Sequence, residues 1–256
     1  MNTGKFEPPF FREDSYRVYS YHTDSRCRLS LTAMLHFLQE TAGSHATANG
    51  FGFDTLGASR LFWVLSRLTL RVWAYPRWND ELLLRTWSKA PGALMGNRDF
   101  ELLNAQGEVV AVASTAWIMV DVASRRPQRI ERFGSAFPHV LDRHAIPEPP
   151  EKLPAVPAGS DAETSPAREI MLSDIDMNGH VNNACYARWL LDAFPHLHRD
   201  DQEVKTLEVN FLRESRAGEH YAISMRQTTE ECRTYSITRC EDGLELARAR
   251  VLMVNG

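Results

Sequence analysis

The densest run of side chains able to do chemistry is Ser173-Asp174-Ile175-Asp176-Met177-Asn178-Gly179-His180-Val181-Asn182-Asn183. It places two carboxylates, three amides and an imidazole directly ahead of a stretch with helical spacing. Asp and Asn are expected where the first N–H groups of a helix need acceptors, so part of this run is a cap. The run exceeds what one cap requires, and the corresponding stretch earlier in the chain, Asp24 to Ser30, has no Asn-x-His pair. A helix N-terminus also offers N–H groups and the positive end of a dipole, which suit a carbonyl oxygen that gains negative charge. Glu214 is the second candidate. It follows a strand-like segment with apolar Leu207, Val209 and Phe211, and strict alternation puts it on the opposite face with Glu208, Asn210 and Leu212. A carboxylate close to a histidine and an asparagine activates water as a general base. A glutamate at a strand end is otherwise a solvated charge, and spacing alone does not bring it to the polar run.

Other residues of suitable type lack suitable spacing. No Gly-x-Ser-x-Gly elbow exists to present a serine nucleophile. Gly50-Phe51-Gly52-Phe53 follows a helical pattern rather than a strand, so it reads as a helix stop and not as a phosphate loop. His196-Leu197-His198 lacks a partner pair and reads as a polar helix end rather than a metal site. Cys27, Cys185, Cys232 and Cys240 form no Cys-x-x-Cys pair, so neither structural zinc nor a disulfide framework is expected. Trp63, Trp73, Trp78, Trp87 and Trp117 read as core, with a tunnel wall as their other use. Arg125-Arg126-Pro127-Gln128-Arg129, with Arg132, is a cationic cluster able to meet an acidic partner.

Two sets of elements in the same order must position these groups. Leu31, Met34, Leu35, Leu38 and Ala42 recur at helical spacing behind Ser30 as N-cap. Val181, Cys185, Trp189, Leu190 and Ala193 do the same later, closed by Pro195. Strands follow each helix. Leu68, Leu70 and Val72 alternate before Tyr75-Pro76-Arg77-Trp78-Asn79-Asp80, and Leu207, Val209 and Phe211 before Glu214-Ser215-Arg216-Ala217-Gly218-Glu219. Placing Leu68 over Leu207 aligns the two segments without a gap. Each set ends in a hairpin, Asp99 to Asp121 around Gln106-Gly107 and Arg233 to Asn255 around Asp242-Gly243. Between the sets, seven of the 13 prolines lie from Pro138 to Pro166, where they block helix interiors and strand ladders. The expected organisation is a first repeat over 1–132, a proline-rich linker over 133–166 and a second repeat over 167–256. A long helix followed by consecutive antiparallel strands is an α+β unit, a sheet curled around a helix, here duplicated.

Composition narrows the function classes. The 256 residues are 43% hydrophobic and 24% charged, which is ordinary for a globular chain and excludes disordered and coiled-coil readings. A net charge of −4 argues against a protein that coats nucleic acid. The longest nearly apolar run, Val109 to Val120, is 12 residues and far short of a membrane span, and no secretory signal pattern opens the sequence. A cytoplasmic protein with reduced thiols, no nucleic-acid partner and no membrane partner is expected.

The run Asp174 to Asn183, with the following Tyr186 and Trp189, resembles the acyl-[acyl-carrier-protein] thioesterases of plant plastids and bacteria. Leu38-Gln39-Glu40-Thr41-Ala42, Trp63-Val64-Leu65-Ser66-Arg67, Tyr75 to Asp80 and Trp117-Ile118-Met119 fall in that family's order, so the resemblance runs from about Phe11 to Val254. It implies a tandem hotdog, two antiparallel sheets each wrapped around a long helix, and hydrolysis of a fatty acyl thioester. Carried over by position, the family's catalytic residues fall on Asp176, Asn178, His180 and Glu214. The plant enzymes carry a cysteine directly after the glutamate, where this chain has Ser215, and Cys185 is no obvious substitute. The resemblance therefore implies a water-based mechanism. Glu214 is general base, or less favourably a nucleophile. Asn178 and the helix N-terminus hold the carbonyl, His180 orients water or protonates the thiolate, and Asp176 fixes the loop. The first repeat, around its helix and Trp63 to Trp73, is expected to supply the acyl pocket. Acyl carrier protein is the implied partner, no metal or organic cofactor is called for, and a monomer or homodimer is expected. An acyl-CoA thioesterase and a non-catalytic acyl-binding sensor are the alternatives.

Overall fold

The computed structural model describes residues 11–130, 139–140, 143–156, 161–194 and 202–255. The first repeat contains β1 (Arg12–Arg17), α1 (Leu31–Ala48), α2 (Phe53–Ala58), β2 (Leu61–Val72), β3 (Glu81–Ser88), β4 (Met95–Leu103), β5 (Val109–Asp121) and β6 (Pro127–Gln128). Short β7 (Glu163–Thr164) and β8 (Arg168–Glu169) lead into α3 (Asn183–Ala193), β9 (Gln202–Phe211), β10 (His220–Gln227), β11 (Cys232–Arg239) and β12 (Glu245–Asn255).

α1 begins as its sequence dictates. Ser30 accepts the Ala33 N–H, and Leu31, Met34, Leu35, Leu38 and Ala42 are buried on one face against the sheet. α3 begins two residues later than its apolar spacing suggests. Asn182 is the cap, while Val181 is drawn out of the helix into a β-bridge with Ile175. Pro195, expected to close α3, and the His196-Leu197-His198 triplet lie outside the described residues. Gly50 adopts a left-handed φ of 76° just past α1, the conformation of a helix stop.

The strands form one antiparallel path, β1-β3-β4-β5-β2-β9-β12-β11-β10-β7, so the sheets of the two repeats join into one. The junction is β2 against β9. Leu68 lies opposite Val209, Thr69 opposite Glu208 and Leu70 opposite Leu207. Under the alignment of Leu68 with Leu207, Thr69 and Glu208 are equivalent residues, so each repeat presents the same edge to the other. This is the self-complementary contact of a twofold dimer, made within one chain. It also removes the two edges most exposed to wrong pairing.

The proline-rich connection is fastened rather than loose over 143–156. Ile146 and Leu153 are buried. Asn210 accepts the Leu153 N–H at 2.8 Å and donates to the Glu151 carbonyl at 3.0 Å, and Arg248 donates to the Leu153 carbonyl. Lys89, itself buried against Asp99, donates to the Ile146 carbonyl at 2.9 Å. Near its end, Glu163 and Thr164 join the sheet beside β10.

A second tie between the repeats is ionic. The buried Arg28 guanidinium donates to Asp24 and, at 2.7 Å, to Glu203 on β9. Burial alone would raise Asp24, but the Arg28 hydrogen bonds outweigh it and hold the carboxyl below its usual value. Glu203 is also held low, chiefly by the Lys205 hydrogen bond. Carboxylates held low in the folded state stabilise it above their unfolded pKa of about 4, and that contribution is lost as pH falls below it. Glu203→Gln is therefore expected to cost about 1.5–3 kcal/mol at neutral pH, the range for hydrogen bonds to charged groups. In urea melts the deficit relative to the parent should shrink as pH falls below about 4. A deficit independent of pH would show that Glu203 acts through packing.

Candidate active site

The polar run divides between support and site. Asp174 is buried, accepts the Met171 N–H and pairs with Arg188, so it holds the turn before the loop. Asn182 spends its carbonyl oxygen on the Ala184 N–H and donates to Gln39 of α1 at 3.2 Å. Asp176, Asn178 and His180 remain, on a tight loop closed by the Ile175–Val181 bridge. The Asp176 N–H donates to the His180 carbonyl, and the Gly179 N–H donates to the Asp176 carbonyl. Gly179 has a φ of 75°, which a side chain would strain. The Asp176 carboxylate accepts the Asn178 N–H at 2.8 Å. Among the described residues, the Asn178 side-chain amide makes no hydrogen bond.

Glu214 is brought to this loop by the residues beside it. The Val181 N–H donates to the Ser215 carbonyl at 3.0 Å. The neighbouring side chains consequently meet, with His180 Nε2 3.1 Å from Glu214 Oε2. The other carboxylate oxygen, Oε1, accepts from Arg125 at 3.2 Å. Arg125 extends from the turn after β5, where the Asp121 side chain holds the Ala123 and Ser124 N–H groups, and its guanidinium lies over the Phe62 ring. Arg125 was read as part of a docking cluster. It stays exposed yet reaches the site, because a carboxylate and an aromatic face lie within its reach, while Arg132 falls outside the described residues.

Neither sulfur nor serine is placed to attack a substrate. Ser215 is buried, with its hydroxyl 2.9 Å from the Tyr186 hydroxyl. Cys185 is also buried, with Sγ 3.6 Å from the Asp174 carbonyl, and burial pushes its thiol up to about 11.

A cavity of about 610 Å³ opens beside the loop. Asn178, His180, Met177 and Arg125 stand at one part of its lining, and α1, α2, β2 and β4 of the first repeat supply most of the rest. Trp63 and Trp117 form part of the wall. Trp63 donates to the Phe51 carbonyl, and its indole packs beside Gly96. Trp87 is core, whereas Trp73 and Trp78 are exposed and serve neither expected use. Among the described residues, α3 contributes nothing to this lining. Its first N–H groups are taken by Asn182, which accounts for why the helix end does not face the cavity as the sequence suggested. Two further polar residues of the lining, His45 and Arg98, carry no sequence signal, because each stands among other polar residues in no recognisable motif. Among the described residues, no cluster of three His, Cys, Asp or Glu side chains could hold a metal ion.

A duplicated helix-and-sheet unit with one loop site and a cavity between helix and sheet defines a tandem hotdog protein. The chain belongs to the acyl-ACP thioesterase family: the family's N-terminal domain profile matches residues 10–132 and its C-terminal domain profile residues 160–253. The chain is 29% identical over 228 residues to oleoyl-acyl carrier protein thioesterase 2 of Arabidopsis thaliana, covering 81% of this chain and 60% of that one. It is 26% identical to a palmitoyl-acyl carrier protein thioesterase of Gossypium hirsutum, covering 92% of this chain and 62% of that one. It thus spans roughly three-fifths of the length of these plant relatives. The crystal structure of an acyl-ACP thioesterase from Bacteroides thetaiotaomicron superposes with a TM-score of 0.84 at 26% identity, covering 95% of this chain and 98% of that one. The 12:0-ACP thioesterase from Umbellularia californica shares the fold, with a TM-score of 0.82 at 21% identity and coverage of 96% and 98%.

The thiol geometry has a direct test. Iodoacetamide at about pH 8 should modify the exposed Cys27 and Cys240 of the folded protein and leave Cys185 unmodified, as read by peptide mass spectrometry. Alkylation of Cys185 at the rate of Cys27 would show a thiolate where burial forbids one.

Proposed function

We propose that the protein hydrolyses fatty acyl thioesters carried on acyl carrier protein and releases the free fatty acid. The observation that carries this reading is the His180–Glu214 contact at a cavity walled mainly by the first repeat. In the proposed reaction Glu214 takes a proton from a water molecule as that water adds to the thioester carbonyl. Asn178, whose amide is uncommitted, donates to the developing oxyanion. Collapse of the tetrahedral intermediate breaks the C–S bond, and the proton taken up by Glu214 passes by way of His180 to the leaving thiolate, which leaves the carboxylate ready for the next turnover. Asp176 keeps Asn178 in place through its backbone N–H. Arg125 holds the other carboxylate oxygen of Glu214 at 3.2 Å and so orients it beside His180. Ser215 serves the site by position, since its carbonyl and hydroxyl anchor the segment that carries Glu214.

Two comparisons test this reading. On an acyl carrier protein thioester, Glu214→Gln should lower turnover by about 10²–10⁴, the usual loss for an assisting acid or base. Ser215→Ala should cost less than about tenfold, as expected for an anchor rather than a nucleophile. Near-normal turnover by the glutamine variant overturns the base assignment. Retained fatty acid with no turnover in the parent protein would favour an acyl-binding sensor instead.

Carrier choice is read from kcat/KM for one acyl group attached to carrier protein and to coenzyme A. A preference for carrier protein that falls on charge reversal at Arg126 and Arg129 is expected, because an acidic partner is recognised through such cations. Equal use of the two carriers would point to an acyl-CoA thioesterase.

A further inference from the structure

Arg98 sits where the acyl reading least expects a cation. It lies half-buried on β4 facing α1, and it lines the cavity. Its guanidinium contacts His45 Nδ1 at 2.8 Å, Thr86 Oγ1 at 3.2 Å and Ser88 Oγ at 3.4 Å. All three partners are buried and none is an anion. A guanidinium can only donate, so His45 Nδ1 must accept and the ring is neutral with its proton on Nε2. Among the described residues, Arg98 has no carboxylate partner, although Asp99 beside it in sequence pairs with Lys89 on the other face. Burial pulls the guanidinium down to about 10, which leaves it charged at neutral pH. A cation largely withdrawn from water without a carboxylate beside it is costly to maintain. Here its accessible face opens on the cavity.

The sheet register measures how far in this group lies. Val209, Leu68, Thr115, Arg98 and Ser88 stand opposite one another on β9, β2, β5, β4 and β3. Val209 of β9 and Arg98 are therefore three strand spacings apart, about 14 Å across the sheet, and Glu214 lies beyond the end of β9. Along the loop and the turn that carries Arg125, the lining residues Met177, Asn178 and Val122 are exposed, whereas His45 and Ser88 are buried. The cavity therefore opens at the loop, and the Arg98 cluster is set back from that opening among buried residues.

We propose that Arg98 determines substrate specificity: with His45 and Ser88 it gives the acyl cavity a polar inner end. That end accepts chains which stop short of it or which present an oxygen to it. The proposal rests on the acyl-thioester reading of the cavity. A terminal methyl group pressed against the guanidinium displaces water without replacing its hydrogen bond, whereas a hydroxyl or carbonyl oxygen replaces it.

The experiment measures kcat/KM for a series of straight-chain acyl thioesters of rising length, each with and without a terminal hydroxyl, on the parent protein and Arg98→Met. In the parent, unsubstituted chains should lose about tenfold or more in kcat/KM at the length that reaches Arg98, and the hydroxyl should recover most of it at that length. Arg98→Met should move the break to longer chains and abolish the hydroxyl advantage. The absence of any hydroxyl advantage in the parent overturns the proposal, and that comparison needs no variant to fold. So does a break at the same length in both proteins. If no thioester is turned over, the thioesterase reading fails on its own. Calorimetric binding of the matching free fatty acids then decides the polar end by the same break and the same recovery.

Discussion

The pairing of β2 with β9 is the constraint from which the rest of the molecule follows. It joins equivalent edges of two repeats, with Thr69 opposite Glu208 and their neighbours exchanged symmetrically. Because the contact is self-complementary, its register in one repeat specifies its register in the other. Arg28 with Glu203, and Tyr75 donating to the Val204 carbonyl, fasten the same seam from the flank. The proline-rich connection lies across the seam as well, through Asn210 of β9 and Lys89 at the end of β3.

Duplication leaves both repeats with the same frame and frees them to diverge in what the frame carries. The second repeat keeps a tight polar loop before its helix and a carboxylate after its first long strand. The first repeat spends its corresponding helix on a cavity wall, with Ala42, His45, Ala46 and Asn49 along one side. Arg125 crosses from the first repeat to Glu214 in the second, so the site is assembled from both. A solvent-exposed ion pair of this kind adds little stability. Its importance is positional, since it fixes one carboxylate oxygen while His180 meets the other.

Much of this was legible in the chain. The helix at Leu31 to Ala48, its Ser30 cap, the strand alternation and the glycine turns at Gly107 and Gly243 all follow from local chemistry, which acts over a few residues and leaves a pattern. The duplication was visible for the same reason, and the polar run at Asp174 to Asn183 stood out by composition. Asp174 and Asn182 could not be separated from Asp176, Asn178 and His180 by type. What separates them is whether a backbone donor or a partner such as Arg188 and Gln39 lies within reach.

The amino-acid sequence by itself determined the order of elements, the two repeats and the residue types that a thioester-hydrolysing site would draw on. Only the tertiary structure decided that the two sheets are one, that Glu214 meets His180, that Arg125 reaches Glu214 and that Arg98 lines the cavity beside His45. Each of these depends on residues far apart in sequence, such as 89 positions between Arg125 and Glu214 and 53 between His45 and Arg98. Periodicity records which face of an element is buried. It does not record which distant side chain waits on the other side, and that is set by the strand register at the seam.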